Sequence, residues 1–268
     1  MLLVAVPGDL GNQLEAKLDK PSVVHYICYK KTENFFTLWL NLELLVPYAI
    51  DCWIDNIRLI YNSTTHTSDA PPGVYVRVPG FGKTYSLEYL DPSKHSVGDN
   101  NRIPLISPLK IRSQQRTAVS TTWLLPYDHS WPKDQVFIKT PTTNYTVKDY
   151  EKLYSDIGFR DGWLMRKDTE PLVSDLTAPG VAVHCLYGNG IPTPEAFQYS
   201  DMFPDVEPDV VYGDGDGTVN LRSAVQCKRW TGQQKQPVAL KELPGNEHVN
   251  MLTNITTVDY IKTVLFSP

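Results

Sequence analysis

"GVAVHCLY", residues 180–187, is an apolar run broken by one histidine and preceded by a Pro-Gly turn signal. A run this short, with punctuation before it, reads as a strongly buried β-strand rather than a helix. "PVALKEL" (237–243) reads as a second strand. Working outward, "TVKDYEKLYSDI" (146–157) predicts a helix: Thr146 is placed to cap, Asp149 follows three on, and Val147, Tyr150, Leu153 and Ile157 share one face. "TTVDYIKTVLF" (256–266) predicts a closing amphipathic helix capped by Thr256 or Thr257. "VYVRVPGFGKTYSLEYL" (74–90) reads as strand, turn, strand, and residues 99–126 as loop and then helix. "MLLVAVPGD" (1–9) reads as a buried strand ending in a Pro-Gly turn, too short and lacking the basic flank of a signal peptide. Strands alternating with helices and loops predict an α/β fold with a largely parallel sheet.

The chain has 268 residues, 41% hydrophobic and 21% charged, an ordinary globular composition for one large or two modest domains. Its net charge of −5, without a Lys/Arg block, argues against nucleic acid as a partner. None of the four cysteines (Cys28, Cys52, Cys185, Cys227) forms a CxxC pair, so neither a metal centre nor a thioredoxin-type site is implied. Two disulfides, paired in chain order, fit the even count; four reduced core thiols are the alternative. The sequons at Asn62, Asn144 and Asn254 favour a secretory or lumenal chain.

Residues 25–60 are the most apolar and aromatic part, but Glu43, Pro47 and Asp51 interrupt them well short of a spanning helix. Two readings stay open. Trp39, Leu42, Leu44, Leu45 and Trp53 are exposed and dip into a lipid interface, or the segment is a core helix hairpin.

Two glycine-rich stretches invite a ligand. "GFGKT" (80–84) fails as a phosphate loop because position 77 is Arg where the first Gly belongs. "YGDGDGTVNLRSA" (212–224) fails as an EF-hand at Thr218 and Val219. A carboxylate held in a tight turn can instead orient a histidine. Asp216 and His248 stand 32 positions apart, each in a loop after a strand, as the acid and base of α/β-hydrolases do. His25, His66, His95, His129 and His184 carry no partner signal and read as surface or structural.

"VAVPGDLGNQLEAKLDKP", "DCWIDNIRL", "VPGFGKT", "LDPSKHSVG", "GDGDGTVN" and "LPGNEHVNML" together resemble the lecithin:cholesterol acyltransferase family, in its phospholipase A/acyltransferase branch, over nearly the whole chain. The resemblance implies an α/β-hydrolase fold with cap, lid and membrane-binding insertions. It implies hydrolysis of glycerophospholipid acyl esters, with acyl transfer to an alcohol such as ceramide, at a phospholipid membrane surface and without a cofactor. It implies a lysosomal or secreted location. Asp216 resembles the triad acid and His248 the base; Asp9 matches the oxyanion-site residue. A carboxyl group there helps only when protonated, which suits an acidic compartment. Cys28–Cys52 and Cys185–Cys227 match the family's two disulfides. The implied division is hydrolase core over 1–24 and 74–98, membrane-binding insertion over 25–73, lid and cap over 99–179, and the rest of the core over 180–268.

The family's serine sits on a strand-to-helix elbow, and no Gly-x-Ser-x-Gly or Ala-His-Ser-Met-Gly occurs in this chain. Ser86, Ser93, Ser96, Ser107, Ser113 and Ser120 all lie outside such a context. "KHSVG", which resembles the region before the elbow, passes at Gly98–Asp99 directly to "DNNRIP", which resembles the lid well after it. A skipped stretch of about a hundred residues, from omitted exons or an incomplete gene reading, would remove the nucleophile strand. The expectation is a chain that is inactive and weakly folded, or a non-catalytic lipid-binding variant.

Overall fold

The computed structural model describes residues 11–81 and 108–266. The expected strand at 1–9, Asp9, the second strand of 74–90 and the Gly98–Asp99 junction lie outside the described residues. The chain divides into two compact units: residues 1–124 with 164–168, and residues 125–163 with 169–268.

The first unit is built on an antiparallel sheet of order β2-β1-β5, with β1 (Leu14–Leu18), β2 (Phe36–Trp39) and β5 (Val74–Arg77). Period-2 alternation turns Ala16, Leu18 and Leu38 inward. Helix α1 (Ala49–Ile57) places Ile50, Trp53, Ile54 and Ile57 on one face, and these close the core over Ala16, Leu38 and Leu45. The indole of Trp53 donates to the Leu38 carbonyl at 3.0 Å, so this large ring is buried with its polar atom satisfied. Buried Lys20 pairs with Asp55 and reaches Asn56 Oδ1 at 2.9 Å, fastening the chain just after β1 to α1. Strands β3 (Ile60–Asn62) and β4 (Thr67–Asp69) form a hairpin, followed later by α2 (Pro108–Gln115) and α3 (Val119–Trp123). Residues 25–60 are therefore a strand, a 3-10 turn at Leu42–Leu45 and one helix, rather than a helix hairpin.

The second unit carries a sheet of order β10-β9-β6-β7, with β6 (Ile138–Lys139), β7 (Asn144–Tyr145), β9 (Ile191–Gln198) and β10 (Asp209–Gly215). A separate parallel pair joins β8 (Val183–Asn189) to β11 (Val238–Pro244). Helices α4 (Tyr150–Asp156), α6 (Leu221–Ala224) and α7 (Ile255–Phe266) also lie here, and α5 (Arg160–Thr169) runs across the boundary between the units.

Several expectations are corrected. Among the described strands β8/β11 and β6/β9 pair in parallel and the other ladders are antiparallel; an isolated bridge, Ile191 to Asp216, is also parallel. Short links such as residues 63–66 between β3 and β4 cannot carry the crossover that parallel neighbours need. Strand β8 is not strongly buried. Only Gly188 within it is, because β11 is its one ladder partner among the described residues. The helix expected from 146 begins at Tyr150; Thr146 and Asp149 still pair, Asp149 Oδ2 accepting the Thr146 backbone N–H at 2.8 Å and its hydroxyl at 2.7 Å, but as a turn ahead of the helix. Helix α7 is capped by Asn254, whose Oδ1 accepts the Thr256 N–H at 2.8 Å, not by Thr256 or Thr257. No described helix is long and apolar enough to cross a membrane.

Candidate functional site

Strand β10 ends at Gly215 and delivers Asp216 into the turn before α6; β11 ends at Pro244 and delivers His248 into the next loop. The two loops meet. His248 Nδ1 lies 2.8 Å from Asp216 Oδ2, and the His248 backbone N–H donates to the Asp216 carbonyl at 2.9 Å. The other carboxylate oxygen, Oδ1, accepts the Thr218 N–H at 3.0 Å and the Val219 N–H at 2.7 Å.

Burial differs sharply across the pair: Asp216 is 4% exposed, whereas the His248 side chain is 42% exposed. A carboxylate only accepts, so the proton shared with it sits on Nδ1 and the Nε2 lone pair is left as the basic site. The arrangement therefore fixes one tautomer.

Local sequence explains the convergence. Gly188, on β8, sits where both loops cross; a Cβ there would lie 2.2 Å from the Asn246 carbonyl oxygen and 2.9 Å from Asp216 Cβ. Asn246 accepts from Asn254 Nδ2 at 2.6 Å, tying the histidine loop to the start of α7. Glu247 Oε2 accepts the Val249 and Asn250 N–H groups at 3.0 and 3.1 Å and closes the loop's exit. Cys185–Cys227, with S–S 2.05 Å, staples β8 to the 3-10 segment Val225–Gly232. Gly188, Asn246 and Glu247 were not singled out from the sequence. The "PGNEH" loop holds two of them, but a loop glycine or asparagine looks the same whether or not it brackets a site.

The other candidate residues are dispersed. Cys28–Cys52 forms in the first unit, with S–S 2.03 Å. Of the five apolar residues proposed to be exposed, Leu45 (3%) and Trp53 (2%) are core, because the face of α1 and the 3-10 turn point them at the sheet. Trp39 and Leu44 are half-buried against the same core, and Leu42 is exposed. The apolar residues presented outward near the disulfide are instead Tyr26, Ile27, Tyr29, Val46 and Tyr48. Asn62 and Asn144 are exposed, whereas Asn254 is half-buried with both side-chain polar atoms bonded.

Comparison with known proteins gives consistent matches. The family model described as lecithin:cholesterol acyltransferase matches residues 35–98 and 95–255. The chain is similar to the lysosomal phospholipase A and acyltransferase of Homo sapiens, 46% identical over 374 positions, covering 99% of this chain and 90% of the relative. It is similar to the protein of the same name from Bos taurus, 46% identical, covering 99% and 92%. It is also similar to the phosphatidylcholine-sterol acyltransferase of Gallus gallus, 38% identical, covering 94% and 87%. An alignment of 374 positions against 268 residues leaves more than a hundred positions with no residue of this chain opposite them, and the two family matches meet at 95–98.

Proposed function

The chain belongs to the lecithin:cholesterol acyltransferase family, and from that premise we propose that it carries the acid–base half of a lipid acyl-ester hydrolase/acyltransferase site without the serine nucleophile. The observation that carries this reading is the 2.8 Å contact between Asp216 Oδ2 and His248 Nδ1. In a serine mechanism His248 would take the hydroxyl proton and return it to the leaving alcohol, while Asp216 holds the imidazole in the useful tautomer. Glycerophospholipid acyl esters are the proposed substrate class and an alcohol such as ceramide the proposed acceptor. Asp9 is the proposed oxyanion-site residue, and lysosome or secretion the proposed location. The division into core, insertion (25–73) and lid (99–179), and glycans on Asn62, Asn144 and Asn254, belong to the same proposal.

The elbow is missing from the sequence, so the imidazole has no hydroxyl to activate and the amide donor that follows the serine is gone as well. The chain should not turn over phospholipid. The test is incubation with a fluorophosphonate probe and with phosphatidylcholine vesicles at acidic and neutral pH. No labelling and no fatty-acid release are expected. Labelling that disappears in His248→Ala overturns the proposal.

A second reading, a non-catalytic lipid-surface binder, is favoured by the outward aromatics Tyr26 (89% exposed), Tyr29 (75%) and Tyr48 (77%) around the Cys28–Cys52 bridge. Vesicle flotation separates the two: Tyr26→Ser/Tyr29→Ser should lose flotation if this face binds lipid. Equal flotation of parent and variant removes this reading.

A further inference from the structure

Three consecutive residues of β9 hold the turn that carries Asp216 and the first turn of α6 after it. Thr193 Oγ1 accepts the Gly217 N–H at 2.8 Å; the Pro194 carbonyl accepts from Asn220 Nδ2 at 3.1 Å; Glu195 Oε1 accepts from Arg222 Nη2 at 2.7 Å. The first rung is the most buried. Thr193 is wholly inaccessible, and its hydroxyl is used twice, since it also donates to the Ile191 carbonyl at 2.9 Å. Both backbone neighbours of Asp216 rest on it. A Cβ on Gly215 would lie 2.6 Å from Thr193 Oγ1, and Gly217, at φ +91°, turns its amide directly onto that oxygen. None of these three β9 residues touches His248 in the bonds above.

We infer that Thr193–Glu195 is a positioning strip for the acid of the Asp216–His248 pair, with the Thr193 hydroxyl as its principal rung. This rests on the reading of that pair as an acid–base site. The physical argument is one of alternatives. The Gly217 N–H leaves water on folding, and without the hydroxyl it has no acceptor at that place. The turn then relaxes toward another acceptor and moves Asp216, which is bonded to the same peptide. Oδ2 is held to Nδ1 at 2.8 Å by a single contact, so a displacement of a few tenths of an ångström weakens it. A core threonine with no positioning role would cost stability when changed, but would leave the pair's hydrogen bond intact.

The test is proton NMR of the full chain, following the imidazole Nδ1–H resonance shifted downfield by its carboxylate partner and assigned by its loss in His248→Gln. In Thr193→Val, which keeps the shape and removes the hydroxyl, this proton should exchange with water about tenfold faster, the factor expected from one weakened hydrogen bond. Thr193→Ser should restore the parent rate. An unchanged rate in a folded Thr193→Val overturns the inference. If that variant does not fold, Asn220→Ala removes the second rung near the surface. It should speed exchange by a smaller factor, and no change there also overturns the inference. Absence of the downfield resonance in the parent chain has a different meaning: it removes the acid–imidazole reading itself.

Discussion

Asp216 and His248 are joined twice, once through side chains (Oδ2 to Nδ1, 2.8 Å) and once through backbone (carbonyl oxygen to N–H, 2.9 Å). The second link uses main-chain atoms alone and so does not depend on the two side chains. The carboxylate is thus both an orienting group and a structural staple, since its Oδ1 satisfies two amides of its own turn.

Replacing it should therefore cost stability as well as geometry. Asp216→Ala leaves the Thr218 and Val219 N–H groups without their acceptor in a partly exposed turn, a loss of about 1–2 kcal/mol. Asp216→Asn keeps one acceptor oxygen for those amides and should lose less than half as much. Urea denaturation of the three proteins checks this. Equal stability of parent and Asp216→Ala would show that the turn does not depend on the carboxylate.

The Lys20–Asp55 pair is buried on both sides, with 5% and 10% of the two side chains exposed, so its removal is asymmetric. Lys20→Met leaves Asp55 in the interior with Arg58 Nε, 3.3 Å from its other oxygen, as its remaining charged partner among the described residues. We expect a loss of about 3 kcal/mol, at the lower end for a broken buried pair. Lys20→Met/Asp55→Leu should recover most of it, because neither charge then remains to be solvated. The denaturation midpoint of the double variant against the single decides the point.

Trp53 separates a core reading of residues 25–60 from a surface one. Trp53→Ala empties a site in the cluster with Ile50, Ile54 and Leu38 and removes the bond to the Leu38 carbonyl, a cost of about 3–5 kcal/mol. Tyr26→Ser, on the exposed loop beside Cys28, should change stability by no more than about 0.5 kcal/mol. Thermal unfolding of both variants is sufficient.

The alkaline limb of stability should belong to Tyr145. Burial, reinforced by its hydrogen bond to Asp156 at 2.5 Å, pushes its phenol from 10 up to about 12. The folded state then keeps a proton that the unfolded chain gives up, so the contribution is complete below pH 10 and is lost as pH rises through about 12. Asp156 runs the other way: the Lys152 ammonium, and then the Tyr145 hydroxyl, hold its carboxyl below the usual range, and that contribution disappears on acidification. Tyr145→Phe should flatten the urea midpoint between pH 9.5 and 11.5. A parent curve that is flat in that window, within the limits set by other tyrosines, would rule the assignment out.

The site was more legible in the sequence than the sheet around it. Asp216 and His248 each stand in a loop after a strand, a placement that many structural residues share; the motif resemblance is what singles the pair out. The face of α1 is written in a 3.6-residue period that burial obeys. Strand direction is not written locally, since an apolar run of seven residues serves parallel and antiparallel pairing alike; only connection length discriminates, and the short links are antiparallel. Leu45 and Trp53 were misplaced because hydrophobicity does not say which side of an element faces the core. Thr193 was invisible: its role comes from contact with residues more than twenty positions away.

The last expectation concerns surface left uncovered. Helix α7 exposes Ile255 (66%), Ile261 (45%), Val264 (40%) and Phe266 (77%), and Leu240 on β11 and Val181 just ahead of β8 are exposed as well. An apolar helix of twelve residues in a globular chain normally lays such side chains on a sheet. Among the described residues the β8/β11 ladder has two strands, whereas the family relative spans over a hundred more positions in alignment. Uncovered apolar area of this kind drives association. Ile261→Glu/Phe266→Glu should therefore raise the concentration at which the chain stays monodisperse and lower its binding of a hydrophobic dye, while leaving the unfolding free energy within about 0.5 kcal/mol of the parent. A large loss of stability in this double variant would mean that α7 buries its apolar face after all, and the association argument would fall with it.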